Sequence, residues 1–354
     1  WKNQRSIAAK HFSKKKVHAH LPMMNSLTCD YINSVEKRIN TESRITQINF
    51  LDELGEHTFK IISQALFRFT VGQKELKLKE AALGLEQYCV KRIFSLIRPP
   101  KNLPTKDNKL AQKSIDFIDE VLEEKISKAR SMTNGEDNFL NGLVKSGLKV
   151  KLIRDEIITY LIAGHETTNI SINWTLYLLS QNKKVLAKLR TEIAEVLGDE
   201  ELSAEKIDEF RYLKNIISES MRIYPPVPFL SRENIKEDYF GKYKVKKGSI
   251  IICSQFVTHR DKTIWADPME FRPERFDEDI KKFTYFPFAE GPRKCIGELF
   301  SIQEMMCFLI EFTRRYDFEL TDPSPIGVES YITLKPNRAI NFKVSPLINQ
   351  YNLS

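Results

Sequence analysis

The stretch 155–181 constrains the fold more than any other part of the chain, because it reads as one long and largely apolar helix. At about 1.5 Å per residue, such a helix is about 40 Å long. In a chain of which 29% of the residues are charged, a long apolar helix has to bury its faces against other elements. We therefore expect it to be the central helix of the core.

The other periodic stretches predict a mainly α-helical fold with a small β part. Apolar residues recur at helical spacing in four further segments, namely 51–67, 109–129, 213–223 and 296–315. Short β-prone runs occur late in the chain, at 239–245, 247–252, 331–334 and 339–344. The first two of these runs predict a hairpin that turns at a glycine.

The charge balance gives little support to a nucleic-acid partner. The chain has 55 Lys and Arg against 47 Asp and Glu, which is a net charge of +8. This excess is spread over short runs such as 14–16, 244–247 and 281–282, and no basic run is interleaved with aromatic residues. Solvated surface lysines explain such a pattern. The alternative is a basic face that docks an acidic protein partner.

The five cysteines do not suggest a disulfide framework, because five is an odd number and no CxxC pair occurs. Four of them lie among ordinary helix or strand residues and are predicted to be small buried side chains: Cys29, Cys89, Cys253 and Cys307. This usage fits a reducing or cytosol-facing compartment. No apolar run approaches the roughly 20 residues that span a bilayer. Because Trp1 is an unusual first residue, we expect the chain to begin inside a larger protein.

The fifth cysteine, Cys295, lies in segment 286–297, which runs from an aromatic loop into a predicted helix. Gly291 and Gly297 permit tight turns and the close approach of a flat ligand. At the mouth of the helix, the helix dipole and basic neighbours such as Arg293 would favour the thiolate. One thiolate alone suits neither zinc nor an iron–sulfur cluster, which need about four ligands. It suits one axial position of a haem; the alternative is an inert buried cysteine.

A turn of five consecutive polar residues interrupts the long helix: His165, Glu166, Thr167, Thr168 and Asn169. A buried polar group without a hydrogen bond costs about 1–3 kcal/mol. Something polar must therefore face this turn, whether water, a ligand or a local break in the helix. Gly164 opens space beside it. The alternative is a polar turn on an exposed helix face.

Glu219 and Arg222 are three residues apart and share one face of a predicted helix. Their apolar neighbours indicate partial burial, where a charge pair needs a further partner. Arg275, in the Pro- and Arg-rich segment 263–279, can supply that partner. We therefore expect these three charged residues to form one network.

These segments together resemble the cytochrome P450 family, whose cysteine loop has the spacing Phe288-x-x-Gly291-x-Arg293-x-Cys295-x-Gly297. The resemblance implies that Cys295 ligates the iron of haem b and that Phe288 packs near the sulfur. It also implies that Gly291 and Gly297 shape the cofactor-binding loop and that Arg293 pairs with a haem propionate. Glu219, Arg222 and Arg275 match the structural network of the family, so we expect them to serve folding and haem retention.

Two further stretches carry the resemblance. Residues 163–167 are similar to the oxygen-activation motif of the family, which makes Thr167 the hydrogen-bonding residue next to dioxygen and Glu166 part of the proton path. Trp1 and Arg5 resemble a family helix that contacts a propionate, and Arg232 is a further candidate propionate partner. One subfamily attaches its haem covalently through an acidic residue two positions before His165. Alanine occupies that position here, so we expect no covalent attachment by this route.

The resemblance implies a monooxygenase that inserts one atom of dioxygen into a small apolar organic substrate, by hydroxylation or epoxidation. Electrons would come from NAD(P)H through a separate redox protein, which is a ferredoxin, a flavodoxin or a P450 reductase. We expect a single monomeric haem domain over residues 1–354 that lacks the N-terminal part of the family fold. The alternatives are a peroxide-driven peroxygenase, a haem protein that only binds a ligand, and a helical scaffold without haem. A cytoplasmic location is expected, or a membrane anchor on the cytosolic side if a preceding segment carries one.

Overall fold

A computed structural model describes residues 1–39, 42–131 and 137–347, and its architecture is mainly helical. The helices in this part of the chain are α1 (Lys2–Ala9), α2 (Lys14–His18), α3 (Leu21–Glu36), α4 (Phe50–Phe67), α5 (Gln73–Phe94), α6 (Lys106–Ser131), α7 (Phe139–Lys145), α8 (Val150–Gln181), α9 (Lys183–Leu197), α10 (Arg211–Ile223), α11 (Gln255–Thr258) and α12 (Glu298–Thr313). All five helices predicted from the sequence are present. The mainly α-helical fold class with a small β part is confirmed.

Helix α8 is the central helix, and it begins at Val150, five residues earlier than predicted. Helix α4 packs along it: Asn169 donates a hydrogen bond to the carbonyl of Leu51 (2.7 Å), and Thr58 donates one to the carbonyl of His165 (3.0 Å). Helices α10 and α12 also contact α8. The C-terminal half of the helix is therefore surrounded by the core, as its apolar composition predicts, whereas the N-terminal half buries one face.

The strands form small antiparallel sheets: β1 (Thr46–Asn49), β2 (Leu230–Glu233), β3 (Asp238–Phe240), β4 (Tyr243–Val245), β5 (Ile250–Cys253), β6 (Tyr316–Leu320), β7 (Val328–Ser330), β8 (Leu334–Pro336) and β9 (Asn341–Pro346). Strand β9 lies between β1 and β6, and the remaining strands pair as β2 with β5, β3 with β4, and β7 with β8. The predicted strand at 339–344 therefore corresponds to β9. Strand β1 was not predicted.

Two strand predictions were wrong in their pairing. The run 247–252 was expected to pair with 239–245, but β5 pairs with β2, and the hairpin is formed by β3 and β4. The reason is that Gly241, with φ of +58°, already closes a tight turn inside the first run. The run 331–334 was expected to be a strand, but most of it forms the connection between β7 and β8.

All five cysteines have free thiols, and only part of the burial prediction for them holds. Cys307 is buried and Cys29 is partly buried, whereas Cys89 and Cys253 are exposed. Cys89 lies on α5, which buries residues on one side only, and Cys253 ends the largely exposed strand β5. In the described part of the chain, no helix is both long enough and apolar enough to cross a membrane.

Candidate active site

A cavity of about 390 Å³ lies between the middle of α8 and the loop that precedes α12. Thr167 lies on the α8 side, and Phe288 and Cys295 lie on the loop side. Most of the other lining residues are apolar, among them Ile62, Val227, Leu230, Pro287 and Met305. The two motifs identified in the sequence thus face each other across one apolar space, although they are more than 120 residues apart in the chain.

Backbone hydrogen bonds close the cysteine loop. The amide of Cys295 donates to the carbonyl of Phe288 (2.8 Å), and the amide of Lys294 donates to the carbonyl of Gly291 (3.0 Å). Gly291 has φ of +77°, a left-handed conformation that glycine adopts without strain. Gly297 is the residue immediately before α12. Cys295 is therefore held at the mouth of the helix, as predicted, with its thiol on the cavity.

The basic neighbours of Cys295 lower the pKa of its thiol, as predicted, but burial has a larger effect in the opposite direction. Burial raises the pKa of the Cys295 thiol; the backbone amide of Gly297 and the charge of Arg5 oppose this rise without reversing it. The nearby Lys294 contributes little, because its ammonium pairs with Glu298 at 2.8 Å. A coordinated metal ion deprotonates a thiol outright, so a thiolate at this position comes from ligand binding.

Three of the four residues expected to contact propionates gather at the cysteine loop. The guanidinium of Arg293 lies 4.0 Å from the centre of the Trp1 ring, and Arg293 lines the cavity. Arg5 donates a hydrogen bond to the carbonyl of Lys294 (2.7 Å). Arg232 is apart from them on β2, exposed and bonded to the carbonyl of its neighbour Ser231. Contacts of these side chains with propionates stay predictions.

The polar turn of α8 contains no helix break, since α8 is continuous through it. The Thr167 hydroxyl donates to the carbonyl of Ala163 (2.8 Å), and the Thr168 hydroxyl donates to the carbonyl of Gly164 (3.0 Å). Both threonines line the cavity, but Thr167 is half-buried, whereas Thr168 is buried. The Thr167 hydroxyl can therefore turn to a ligand in the cavity at the cost of one local hydrogen bond.

Glu166 lies on a different side of α8 from Thr167 and does not line this cavity. Its carboxylate forms an ion pair with the ammonium of Lys335 and accepts a hydrogen bond from Thr333 (3.3 Å). Glu86, on α5, lies beside it. Neither Lys335 nor Glu86 is predicted from the sequence as a site residue. A buried acidic side chain requires a partner, but the residues near Glu166 in the sequence do not indicate which distant residue that partner is.

The predicted charge network is present and buried. Arg222 donates two hydrogen bonds to Glu219, at 2.6 and 2.9 Å, and a third to the carbonyl of His259 at 2.7 Å. Arg275 donates to the same carboxylate at 3.1 Å. Glu219 and Arg222 are both 0% exposed. The Oε2 atom of Glu219 accepts within α10 from Arg222, whereas Oε1 joins α10 to Arg275 and to the backbone amide of Arg272.

These residues fit a haem. A flat ligand requires a wide apolar space, and the cavity provides one with a single thiol at its edge. A β-carbon added at Gly297 would lie 3.9 Å from the Cys295 sulfur, so this glycine keeps the space over the sulfur open. Basic groups for the acidic edge of the ligand are present in Arg5 and Arg293, beside the same loop.

Comparisons with known proteins agree with the site. A family profile described as Cytochrome P450 matches residues 1–343. Carotene epsilon-monooxygenase, chloroplastic, of Arabidopsis thaliana is 34% identical over 259 residues, which cover 66% of this chain and 48% of that protein. Cytochrome P450 4V2 of Mus musculus is 36% identical over 199 residues, or 54% and 38% of the two chains. A cytokinin hydroxylase of Arabidopsis thaliana is 29% identical over 371 residues, or 98% and 70%.

The chain spans about half the length of the first of these relatives. The profile match nevertheless extends over nearly the whole chain and includes the cysteine loop, the polar turn of α8 and the buried network. The chain therefore belongs to the cytochrome P450 family, whose cofactor is haem.

Proposed function

We propose that the protein is a haem-thiolate monooxygenase in which Cys295 ligates the iron of haem b. The observation that carries this proposal is the apolar cavity with the Cys295 thiol on one side and the Thr167 hydroxyl on the other. Relatives named as a monooxygenase and a hydroxylase support the same reaction class. The haem supplies the redox chemistry that reduces dioxygen, and one oxygen atom enters an apolar organic substrate by hydroxylation or epoxidation.

The side chains of this protein bind the substrate, exclude water and position protons. Apolar walls formed by residues such as Leu230 and Met305 favour an apolar substrate and keep bulk water out. Arg293 and Arg5 offer charge to the propionates, and Phe288 shields the sulfur. Thr167 presents the hydroxyl that can hold a proton or a water molecule at the α8 side of the cavity.

The proposal includes a separate electron donor that takes electrons from NAD(P)H, namely a ferredoxin, a flavodoxin or a P450 reductase. It also includes one monomeric haem domain over residues 1–354. The basic docking face stays a prediction. Lys294, beside the cysteine loop, would add little to it because its ammonium pairs with Glu298. The cytoplasmic location also stays a prediction; the name of one similar relative includes the word chloroplastic.

A peroxide-driven peroxygenase is the second candidate, and the position of Glu166 favours it. Glu166 points away from the cavity and is paired with Lys335, so the cavity itself holds no acidic side chain of α8. A monooxygenase needs protons delivered after electron transfer, whereas peroxide brings its own. Equal product formation from hydrogen peroxide and from NAD(P)H with a redox partner would favour this candidate.

The spectrum of the reduced, carbon monoxide-treated holoprotein tests the ligand assignment. We expect the red-shifted Soret band of a thiolate-ligated haem, and we expect Cys295→His to abolish it even where haem still binds. Cys253→Ser is the matched control, because this exposed cysteine lies outside the cavity. An unchanged band in the Cys295→His variant would refute the assignment.

A further inference from the structure

A second cavity, of about 610 Å³, lies at another side of α8, between α5 and the β7–β8 hairpin. Glu86 and Glu166 both line it, and their carboxyl groups are within hydrogen-bonding reach of each other. The Glu86 Oε2 atom is buried and has no donor while both carboxyl groups are ionised. Glu86 is half-buried and Glu166 is buried. Two ionised carboxylates in contact at such a site repel each other, and a proton shared in an O–H···O bond relieves this repulsion.

The groups around this pair favour a proton on Glu86. Burial and the charge of Glu166 raise the pKa of Glu86 to about 7, while Lys335 acts in the opposite direction. The ammonium of Lys335 pairs with Glu166, and Thr333 donates to the same carboxylate. At the rim, Lys91 pairs with Asp107 and Glu329 is exposed. The ammonium of Lys335 thus lies close to both carboxyl groups.

We propose that Glu86 and Glu166 share one proton and that this pair supplies protons from the second cavity to the Cys295 cavity across α8. The proposal rests on the proposed monooxygenase function and extends it to residues outside the family motifs. Neither Glu86 nor Lys335 touches the reacting atoms, so both act through Glu166. Glu86 is therefore a proton-supplying residue and Lys335 a positioning residue.

The ion pair with Lys335 explains how the transfer is gated. An ionised Glu166 is held in the second cavity by the ammonium. When the proton moves from the Glu86 carboxyl to a Glu166 oxygen, Glu166 becomes neutral and its attraction to Lys335 weakens. The neutral side chain is then free to turn towards Thr167, the next residue of the helix. Water in the second cavity returns a proton to Glu86, so charge and protons balance over a cycle.

Infrared difference spectroscopy of the holoprotein tests the shared proton without turnover. Between about pH 6 and pH 8, either side of the pKa of Glu86, the wild type should lose the carbonyl band of one protonated carboxylic acid. Glu86→Gln should remove this pH-dependent band. Glu329→Gln, at the exposed rim of the same cavity, should keep it. A band that persists in Glu86→Gln would overturn the proposal.

Turnover tests the delivery of the proton. Glu86→Gln should lower product formed per NAD(P)H at least about tenfold, with unchanged haem content and substrate-induced spectral shift, while Glu86→Asp should recover part of the loss. Lys335→Met should shift the pH profile of turnover upward, because the cation that lowers the pKa of Glu86 is gone. Wild-type yield and pH profile in Glu86→Gln would overturn the proposal.

Absence of the thiolate Soret band in the wild type would instead refute the proposed function, while the infrared result would stand.

Discussion

The two halves of α8 use polar residues in different ways. In the C-terminal half, every residue from Thr168 to Leu179 is buried. In the N-terminal half, buried and accessible positions alternate with the helical period, and the accessible ones include Ala163 and Thr167. Both halves contain hydroxyl groups, so composition does not distinguish them. Burial does.

Most polar side chains of the buried half form hydrogen bonds within α8, although the Asn173 Oδ1 atom has no partner in the described part of the chain. Ser171, Asn173 and Thr175 each donate a hydrogen bond to a carbonyl one turn earlier on α8, at 2.7–2.9 Å. These hydrogen bonds offset the cost of burying the groups. Thr175 also lies 2.9 Å from the Ser220 hydroxyl, and Ser171 lines the Cys295 cavity while its hydroxyl donates within the helix. Glu166 and Thr167, at the boundary, point into two different cavities, since neighbouring helical residues project about 100° apart. Polar residues on the two sides of this boundary therefore have different surroundings. Glu166 and Thr167 face cavities, whereas most of the later polar residues bond within the helix.

The largest expected effect is a loss of folding stability when a large side chain is removed from the buried half of α8. Trp174 is 0% exposed, stacks on Tyr224 at a ring distance of 3.9 Å and donates to the carbonyl of Leu334. Trp174→Ala should lower the free energy of unfolding by about 3–5 kcal/mol, measured by urea denaturation of the holoprotein. The control is Leu152→Ala in the open half, where the side chain is 40% exposed; we expect less than about 1 kcal/mol. Equal losses would remove the distinction between the halves.

A hydroxyl substitution on each side of the boundary tests function instead of stability. Thr167→Ala should divert reducing equivalents to hydrogen peroxide and slow the product-forming step about 10²-fold, because a positioned proton-transfer group is lost. Haem content and the substrate-induced spectral shift should stay near wild type. Thr168→Ala should matter less, since this hydroxyl is buried and bonded to Gly164. If Thr168→Ala uncouples turnover and Thr167→Ala does not, the motif is shifted by one residue.

The sequence could predict the parts of the site that depend on local geometry. Gly291 and Gly297 mark a loop that ends at a helix, and the polar residues of 165–169 stand out against an apolar helix. The Glu219–Arg222 pair follows from helical spacing, and its third partner lies in the expected segment. Apart from Arg275, these features are each encoded within a few residues, where backbone geometry alone relates sequence to position.

The remaining features depend on contacts between distant segments. Lys335 lies 169 residues after Glu166, and no periodicity relates the two. The chain between β2 and β5 forms a hairpin of its own that turns at Gly241, so β5 pairs with β2. The pKa of the Cys295 thiol is raised by burial, which the adjacent basic residues in the sequence do not reveal. Long-range packing decides each of these cases, and a single sequence does not display it.

A smaller effect is expected at the contact between α4 and α8. A β-carbon at Gly164 would lie 2.9 Å from Cγ1 and Cδ1 of Ile62, so Gly164→Ala forces this side chain to move. Overpacking typically costs about 1–3 kcal/mol, and the better helix propensity of alanine offsets about 1 kcal/mol. In an Ile62→Ala background the clash is absent, and Gly164→Ala should be neutral or stabilising. Urea denaturation of the four proteins gives the coupling energy, and additive effects would contradict the contact.

The smallest expected effect, per unit of pH, comes from a neutral histidine in the buried region. His57 lies on α4, and burial lowers its pKa to about 3 from the usual 6.5. In the unfolded chain the imidazole takes up a proton below about pH 6.5, whereas in the folded protein it stays neutral down to about pH 3. Its contribution is therefore fully present above pH 6.5 and falls by up to about 1.4 kcal/mol for each unit of pH below that value.

His57→Gln separates this contribution from the acid response of the rest of the protein. Glutamine does not titrate and can still meet the Thr28 hydroxyl, which lies 3.4 Å from the imidazole Nε2. The difference in unfolding free energy between wild type and variant should be constant above about pH 6.5 and should shift in favour of the variant below it. Urea denaturation at several pH values measures this difference. If the unfolding free energies of wild type and variant change in parallel over the whole pH range, His57 accepts its proton in the folded state. Water or a rearranged partner would then reach the imidazole in the α4 packing.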